Sequence, residues 1–352
     1  MHHQITIIEL ISKLELVLNI QLFLVGGAVR DTLLGKTIKD WDFASPALPD
    51  EIELAVRDAG LRPYLIGKKY GTIGLKYRFE DNSEPVLIEI TTFRGEVYAP
   101  GDRKPEVQFS KTIDQDLSRR DFTINAIAMD SKGQLIDPYN GQSDLSSKLI
   151  RTVGNPTLRF KEDPLRILRG VRIASQLGFE IESQTAKKIT EKRFSLLNIS
   201  KERWVSEIDR ILSQPNPLSG LNTLMNLRLF EVLIPELTLQ KNFEQQSPHH
   251  QYNLWEHTSK VIQAVPADQL ELRWAALLHD VAKPMVKHMK NENQAQYIGH
   301  DLIGAEVAKK ICWYLKFSNQ RTNFICDTIL MHLHEGSILK RYDDSAKIKG
   351  CD

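Results

Sequence analysis

Leu24-Val25-Gly26-Gly27-Ala28-Val29-Arg30-Asp31, followed by Asp40-Trp41-Asp42, is the stretch on which the reading of this chain turns. A short apolar run stops at two glycines, and a helical pattern from Ala28 to Leu34 follows and ends at Gly35. Glycines at a strand-to-helix turn let the backbone approach a bulky anion, with N–H groups at the helix N-terminus pointing at it. Arg30, one turn in, adds a guanidinium suited to phosphate. Asp40 and Asp42 stand at i and i+2 of an extended run, so both carboxylates leave the same face. Neighbouring carboxylates repel unless a cation lies between them. Mg2+ takes a few carboxylates together with water and substrate phosphate oxygens. Glu89, within Leu87-Ile88-Glu89-Ile90-Thr91, is an acid in an otherwise apolar strand and the candidate third carboxylate. Alone, the glycine pair reads as a turn and Asp-x-Asp as a solvated strand end; their order along the chain argues for chemistry.

Around this centre, Leu22–Val25, Trp41–Ala44, Ile73–Tyr77 and Val86–Thr92 read as strands, rich in β-branched and aromatic residues. Ala28–Leu34 and Asp50–Ala59 read as helices with glycine stops. Beyond Gly141 the strand signals fade. Ile167, Leu168, Val171, Ala174 and Leu177 repeat at helical spacing, and further helices are expected near 204–212, 220–229, 257–264, 272–283 and 303–315. The polar, Gln-rich stretch from Pro235 to Pro248 reads as a linker. The expectation is an α+β chain in three parts: a head with a mixed sheet over residues 1–140, a helical neck and body over 141–245, and a helical module over 246–352.

Composition sets the bounds. The chain has 352 residues, 41% hydrophobic and 26% charged, as in ordinary globular proteins with a sizeable core. With a formal charge of only +1, a nucleic-acid partner must be held by local clusters of Lys and Arg. Three cysteines, Cys312, Cys326 and Cys351, have no metal-type spacing and are too few for a disulfide framework, so a reducing cytoplasm is expected. Met1 to Ile20 reads as an amphipathic helix and not an export signal, and no apolar run approaches the ~20 residues of a membrane helix.

At this point the chain resembles a known family. Gly26-Gly27-x-Val29-Arg30-Asp31-x-Leu33-Leu34-Gly35 with Asp40-x-Asp42 is similar to the catalytic signature of bacterial tRNA nucleotidyltransferases (CCA-adding enzymes, class II) and poly(A) polymerases. The likeness continues through Lys69-Tyr70-Gly71-Thr72-Ile73, Thr91-Thr92-Phe93-Arg94 and Arg119-Arg120-Asp121-Phe122-Thr123-Ile124-Asn125-Ala126. The resemblance implies a nucleotidyltransferase head in which Asp40, Asp42 and Glu89 hold two Mg2+ ions and Gly26, Gly27 and Arg30 help hold a triphosphate. It also implies that Arg119, Arg120, Asp121 and Asn125 line the nucleotide pocket, with tRNA, CTP and ATP as partners and no membrane. The local alternative for Arg119 to Asp121 is a charged helix start capped by Asp121.

Glu162-Asp163-Pro164-Leu165-Arg166 reads as a helix start, with Asp163 as cap and Pro164 in the first turn. The same residues have a second use. Cytosine and adenine each present an amino donor beside a ring acceptor, which an aspartate and an arginine complement. Uracil and guanine would leave buried polar groups unpaired at ~1–3 kcal/mol each. The resemblance assigns this base reading to Asp163 and Arg166. Arg166, Arg169 and Arg172 form a basic stripe, solvated or facing phosphate. Ser200 to Glu207 matches a helical motif that the family uses to support its pocket.

Histidines crowd the last third: His249, His250, His257, His279-Asp280, His300, His332 and His334. His279-Asp280, after Ala275-Ala276-Leu277-Leu278 and before Lys283-Pro284, resembles the HD phosphohydrolase module appended to some bacterial tRNA nucleotidyltransferases. His257, His279 and Asp280 are the expected ligands and His300 a fourth, a donor set suited to a transition metal whose bound water attacks a phosphoester. Asp327 is the candidate last carboxylate. The chain stops soon after Asp343-Asp344, which reads as a shortened form. The rivals are a poly(A) polymerase, a CC-only or A-only enzyme, a phosphohydrolase whose head only binds RNA, and an inactive RNA-binding protein. The near full-length loop from Gly95 to Gln115 favours an enzyme able to add A.

Overall fold

The computed structural model describes residues 2–38, 40–78, 85–97, 106–246, 252–292 and 294–333. His249, His250, His334, Asp343, Asp344 and Cys351 lie outside them. The α+β expectation holds. The chain forms two compact units, Met1–Asp163 with Glu180–Thr185, and Pro164–Phe179 with Ala186–Asp352.

The first unit opens with α1 (His2–Leu18), then β1 (Phe23–Val25), α2 (Gly27–Leu33), β2 (Trp41–Ser45) and α3 (Pro49–Asp58). The strands β3 (Pro63–Tyr64), β4 (Thr72–Tyr77), β5 (Val86–Thr92), β6 (Arg94–Val97) and β7 (Glu106–Phe109) follow. After α4 (Ile113–Ser118) come β8 (Ala128–Met129), β9 (Leu135–Ile136), α5 (Gly141–Ser146), β10 (Leu149–Ile150) and α6 (Pro156–Glu162). A seven-stranded sheet runs in the order β3-β4-β5-β2-β1-β8-β9. Its pairings are antiparallel except β2 with β5, which is parallel. Side chains alternate between the two faces. Leu24, Phe43, Ile73, Ile88 and Ile90 pack on one side with Leu10, Ile11 and Leu14 of α1 and Ile52 and Val56 of α3. Phe23, Val25, Ala44 and Ala128 pack on the other with Phe93, Leu117 and Val153.

Strand ends fall within a residue of expectation for β1, β2, β4 and β5. The two-residue strands β3, β8 and β9 and the β6–β7 hairpin escape sequence reading, because two residues carry no periodicity.

The second unit contains α7 (Arg166–Leu177), α8 (Ser183–Lys192, whose first three residues belong to the first unit), α9 (Lys201–Leu212), α10 (Leu218–Asn226) and α11 (Phe230–Leu233). Then come α12 (Leu254–Ala264), α13 (Leu270–Leu278), α14 (Lys283–Val286), α15 (His300–Tyr314) and α16 (Asn319–Leu330). The short strand β11 (Glu180–Ile181) pairs with β10, and β12 (His288–Asn291) with β13 (Gln294–Gln296). The stretch from Pro235, expected as a linker, is packed instead. It forms a 3-10 turn, Pro235–Gln240, and Leu237, Gln240 and Gln245 are buried. Its glutamines bond inward: Thr258 Oγ1 donates to Gln240 Oε1 at 3.1 Å and Lys283 Nζ to Gln245 Oε1 at 3.1 Å. At Gln240 and Gln245 polarity marks buried hydrogen bonding, whereas Lys241, Asn242, Glu244 and Gln246 are exposed. Cys312 and Cys326 are free thiols.

Candidate active site and metal centre

The head site grows from the parallel pairing. β2 and β5 place Asp42 directly opposite Glu89, and parallel register puts both side chains on one face of the sheet. Asp40 lies one residue before β2, in an exposed bend. Burial pushes the Asp42 carboxyl above its ordinary value, Glu89 and Asp40 push it further, and Arg120 opposes them. The three acids are therefore close enough to feel one another, and the cluster lacks enough positive charge. Glu89 itself is exposed, because β5 alternates between buried Ile88 and Ile90 and open Leu87 and Glu89. It pays no interior penalty, contrary to the expectation of an acid buried in an apolar strand.

Two glycines matter by conformation. Gly26 has φ +69° and ψ −134°, and a Cβ there would stand 2.9 Å from Arg120 Nη1. The guanidinium of Arg120 thus lies directly over the bare Gly26 backbone. Gly71 turns left-handed (φ +86°) to start β4, and a Cβ there would strike the Phe109 ring at 2.9 Å.

The remaining motif residues form a buried lattice. Arg30 gives Nη1 to Asn125 Oδ1 at 2.9 Å and Nε to Asp31 Oδ1 at 2.8 Å, with Nη2 also 2.8 Å from Asp31. Its donors hold neighbouring segments, so it braces the turn where a phosphate contact was expected. Asn125 Nδ2 donates to Asp121 Oδ1 at 3.1 Å, which also accepts the Phe122 N–H at 2.8 Å. Asp121 caps no α-helix, since α4 has already ended at Ser118. Sequence reading missed Asp116, which is buried and organises both arginines. Its Oδ1 accepts Arg119 Nη2 at 2.6 Å and the Arg94 N–H at 3.2 Å, and its Oδ2 accepts Arg120 Nη2 at 2.9 Å. Burial alone would raise its pKa, but Arg120 and Arg119 outweigh that and lower it. The sequence signal was an acid three and four residues ahead of an Arg-Arg pair.

Asp163 closes α6 in an extended conformation (φ −138°, ψ 99°), as the residue before a proline must. The expectation of Asp163 and Arg166 together on one helix is therefore corrected: α7 begins at Arg166, and Asp163 lies outside it. Arg166 is buried, Arg169 half-buried, and Arg172 Nε meets Glu207 Oε2 at 2.6 Å, so the basic stripe is not a solvated one.

In the second unit His257, His279, Asp280 and His300 converge as expected, and His332 joins them. Asp280 is 1% exposed. Around its Oδ2 stand Lys283 Nζ at 2.8 Å, His279 Nε2 at 3.0 Å and His257 Nε2 at 3.3 Å. Around its Oδ1 stand His300 Nε2 at 3.5 Å and His332 Nε2 at 3.8 Å. No donor meets either oxygen in aligned hydrogen-bonding geometry, so these are ionic approaches. Their charge holds the Asp280 carboxyl well below the usual range even though burial raises it; the largest contribution comes from His279.

The tautomers explain the rest. Nδ1 of His279, His300 and His332 lies 2.8, 2.6 and 2.5 Å from the carbonyls of Ala276, Tyr297 and Ile329, each three residues back. A proton on Nδ1 satisfies each carbonyl and turns Nε2 toward the Asp280 carboxylate. His279 Nε2 and His257 Nε2 then face one another at 3.2 Å. That spacing fits a hydrogen bond between the two rings, or one cation shared by both nitrogens. Donors each ~2.1 Å from one ion at tetrahedral angles stand about 3.4 Å apart, and these distances match. The donors make two groups sharing Asp280: His257 and His279, then His300 and His332. Asp327, the expected carboxylate, is exposed on α16, whereas His332 follows that helix and turns inward. Burial pushes the His332 imidazole down, which keeps it neutral.

Comparison with known proteins follows these features. Residues 22–151 match the family model "Poly A polymerase head domain", residues 178–240 "Probable RNA and SrmB- binding site of polymerase A", and residues 249–348 "HD domain". The CCA-adding enzyme of Bacillus subtilis is 42% identical over 214 residues, 60% of this chain and 51% of that protein. The CCA-adding enzyme of Bacillus velezensis is 38% identical over 259 residues, 73% of this chain and 60% of that protein. The chain thus spans about half to three fifths of the length of these curated relatives. Among solved structures, the Bacillus stearothermophilus CCA-adding enzyme in complex with CTP superposes with a TM-score of 0.58 at 26% identity, covering 91% of this chain and 76% of that one. A tRNA nucleotidyltransferase complexed with a primer tRNA and an incoming ATP analog shares the fold, with a TM-score of 0.58 at 24% identity over 97% of this chain and 100% of that one. This family implies a divalent metal. Head, RNA-binding and HD segments thus match in that order, and in this arrangement the chain is similar to CCA-adding enzymes and to the poly(A) polymerase head family.

Proposed function

We propose that the protein adds CMP, AMP or both from CTP and ATP to the 3′ end of tRNA. The observation that carries this is the Asp42–Glu89 pair in register across β2 and β5, with Asp40 beside it and Arg120 over Gly26. Carboxylate oxygens with too little cation around them suit Mg2+, and Asp40, Asp42 and Glu89 would hold it. A metal held by these three acids would supply acidity to the terminal 3′-hydroxyl and positive charge to the triphosphate. The chain's own residues do the rest. Gly26 and Gly27 let the backbone close on phosphate, and Arg120 supplies positive charge from above. Arg30, Asn125 and Asp121 lock the turn in place, and Asp116 fixes Arg119 and Arg120. Asp163 and Arg166 carry the acceptor and donors that fit the amino edges of cytosine and adenine. Relatives named CCA-adding enzymes support tRNA over poly(A) as product. This reading keeps the division at 1–140, 141–245 and 246–352 and requires the cytoplasm, where tRNA is found.

The histidine centre favours a second activity. Its imidazole-rich donors suit a transition metal, with His257, His279, Asp280, His300 and His332 as ligands and phosphoester hydrolysis as the reaction. Asp40→Ala, assayed with labelled CTP and ATP on tRNAs ending at the discriminator base, C or CC, tests both readings. Retained incorporation would remove the transferase assignment. Lost incorporation with intact phosphatase activity would establish two separate sites.

A further inference from the structure

A surface carrying lysines and open aromatic rings lies on the second unit, where α15 meets the start of α9. One face of α15 presents Leu302, Ile303, Glu306, Lys309, Lys310 and Trp313 at i, i+1, i+4, i+7, i+8 and i+11 spacing. Trp313 is 57% exposed and Tyr314 46%, unusual openness for side chains of that size. Lys309 Nζ stands 5.2 Å from the Trp313 ring centre. Beside it, Lys201 at the start of α9 lies 3.3 Å from the buried Trp204 ring centre and 4.5 Å from that of Tyr314. Trp204 and Tyr314 meet edge to face at 6.3 Å. These contacts pin α9 and the end of α15 into one surface and fix the Tyr314 ring within it. Lys310, Lys316 and Arg203 are exposed around it. The acidic neighbours are Glu202, whose carboxylate is 3.5 Å from Lys316 Nζ, Glu306 on the same face and Asp327 on α16. Cations outnumber them.

We propose that this α15–α9 surface binds the backbone and unstacked bases of an RNA strand, with Trp313 as the stacking platform and Lys309 and Lys310 as phosphate contacts. The proposal rests on the tRNA reading above and extends the contact from α9, within the matched RNA-binding segment at residues 178–240, onto α15, which lies beyond it. Composition decides between RNA and protein as the occupant. Protein–protein interfaces are depleted of lysine, whereas sequence-tolerant RNA surfaces combine lysines with exposed aromatic rings. This face has lysines on both sides of an open tryptophan.

The test is equilibrium binding of a tRNA lacking its terminus to the full chain, across a series of salt concentrations. Trp313→Ala should weaken binding by about 5- to 150-fold, the span of one lost base–aromatic stack, and leave the salt slope unchanged. Trp313→Phe should recover most of that loss. Lys309→Ala with Lys310→Ala should flatten the slope of log K against log salt by about 1.4–1.8, two phosphate contacts' worth. In each weakened variant KM for tRNA should rise while kcat at saturating tRNA stays as in the wild type. Variants that bind tRNA like the wild type overturn the proposal. So does a Trp313→Ala variant whose only change is its mass by light scattering, which would assign the face to protein contact. If the wild type binds no tRNA, the tRNA reading falls first and this surface with it. If the wild type binds and transfers while the variants match it, only the surface falls.

Discussion

Asp42→Asn should make the metal-free protein more stable and the enzyme inactive. Folding raises the Asp42 carboxyl above 3.8 through burial, Glu89 and Asp40, against the pull of Arg120. The folded state therefore keeps a proton that the unfolded chain has lost, across the window from 3.8 up to the raised value. Stability falls as pH rises through that window, and above it the whole penalty is present. Each unit of displacement corresponds to about 1.4 kcal/mol, and a domain of roughly 150–250 residues moves its Tm by about 2–4 °C per kcal/mol. Asparagine keeps the shape and removes the charge, so in chelator the variant should melt higher at neutral pH and converge on the wild type in acid. Added Mg2+ should reverse the order. It stabilises the wild type by about 2.7 kcal/mol at a hundredfold excess over Kd, and the variant by much less. Incorporation of CMP should fall by at least about 10²–10³-fold, the range for losing one preorganised electrostatic group. A variant that melts lower than the wild type in chelator, or still responds fully to Mg2+, refutes the reasoning.

Gly26→Ala should cost about 1–3 kcal/mol from its left-handed backbone alone, and should raise KM for CTP because the new methyl displaces Arg120. Melting curves and steady-state kinetics check the two parts. Asp280→Asn leaves Lys283 and the imidazoles facing a neutral amide, so a loss of about 3–5 kcal/mol is expected, visible as a lower denaturant midpoint. His332→Ala should reduce metal bound per chain, measured by elemental analysis after dialysis, while CMP incorporation stays at the wild-type level.

Where local pattern and tertiary structure agree, the chain was legible. Gly26, Gly27 and the Asp40/Asp42 pair announce themselves because a strand, a turn and an i, i+2 spacing are local facts. His257, His279, Asp280 and His300 could be grouped as candidate ligands because the His-Asp step after an apolar helix resembles an HD module, and the fold brings these residues together. His332 could not. Its part depends on α16 ending where its ring turns toward Asp280, and no periodicity signals that. Arg30 illustrates the converse: residue type suggested a phosphate contact, but pairing with Asn125, 95 positions away, decides where its donors go. Gln240 and Gln245 misled for a related reason. Glutamine is usually exposed, and only the partners supplied by Thr258 and Lys283 make its burial tolerable.

The one parallel pairing of the seven-stranded sheet, β2 with β5, carries a consequence for how the head forms. Antiparallel neighbours can zip from a tight bend, but parallel strands meet only after an intervening crossover has been laid down. Here that crossover holds α3, β3 and β4. Asp42 therefore leaves the ribosome well before Glu89, with only Asp40 beside it to share a cation. The full acidic repulsion arises only when the crossover closes, so a divalent cation held by these acids would aid maturation at that moment as well as chemistry.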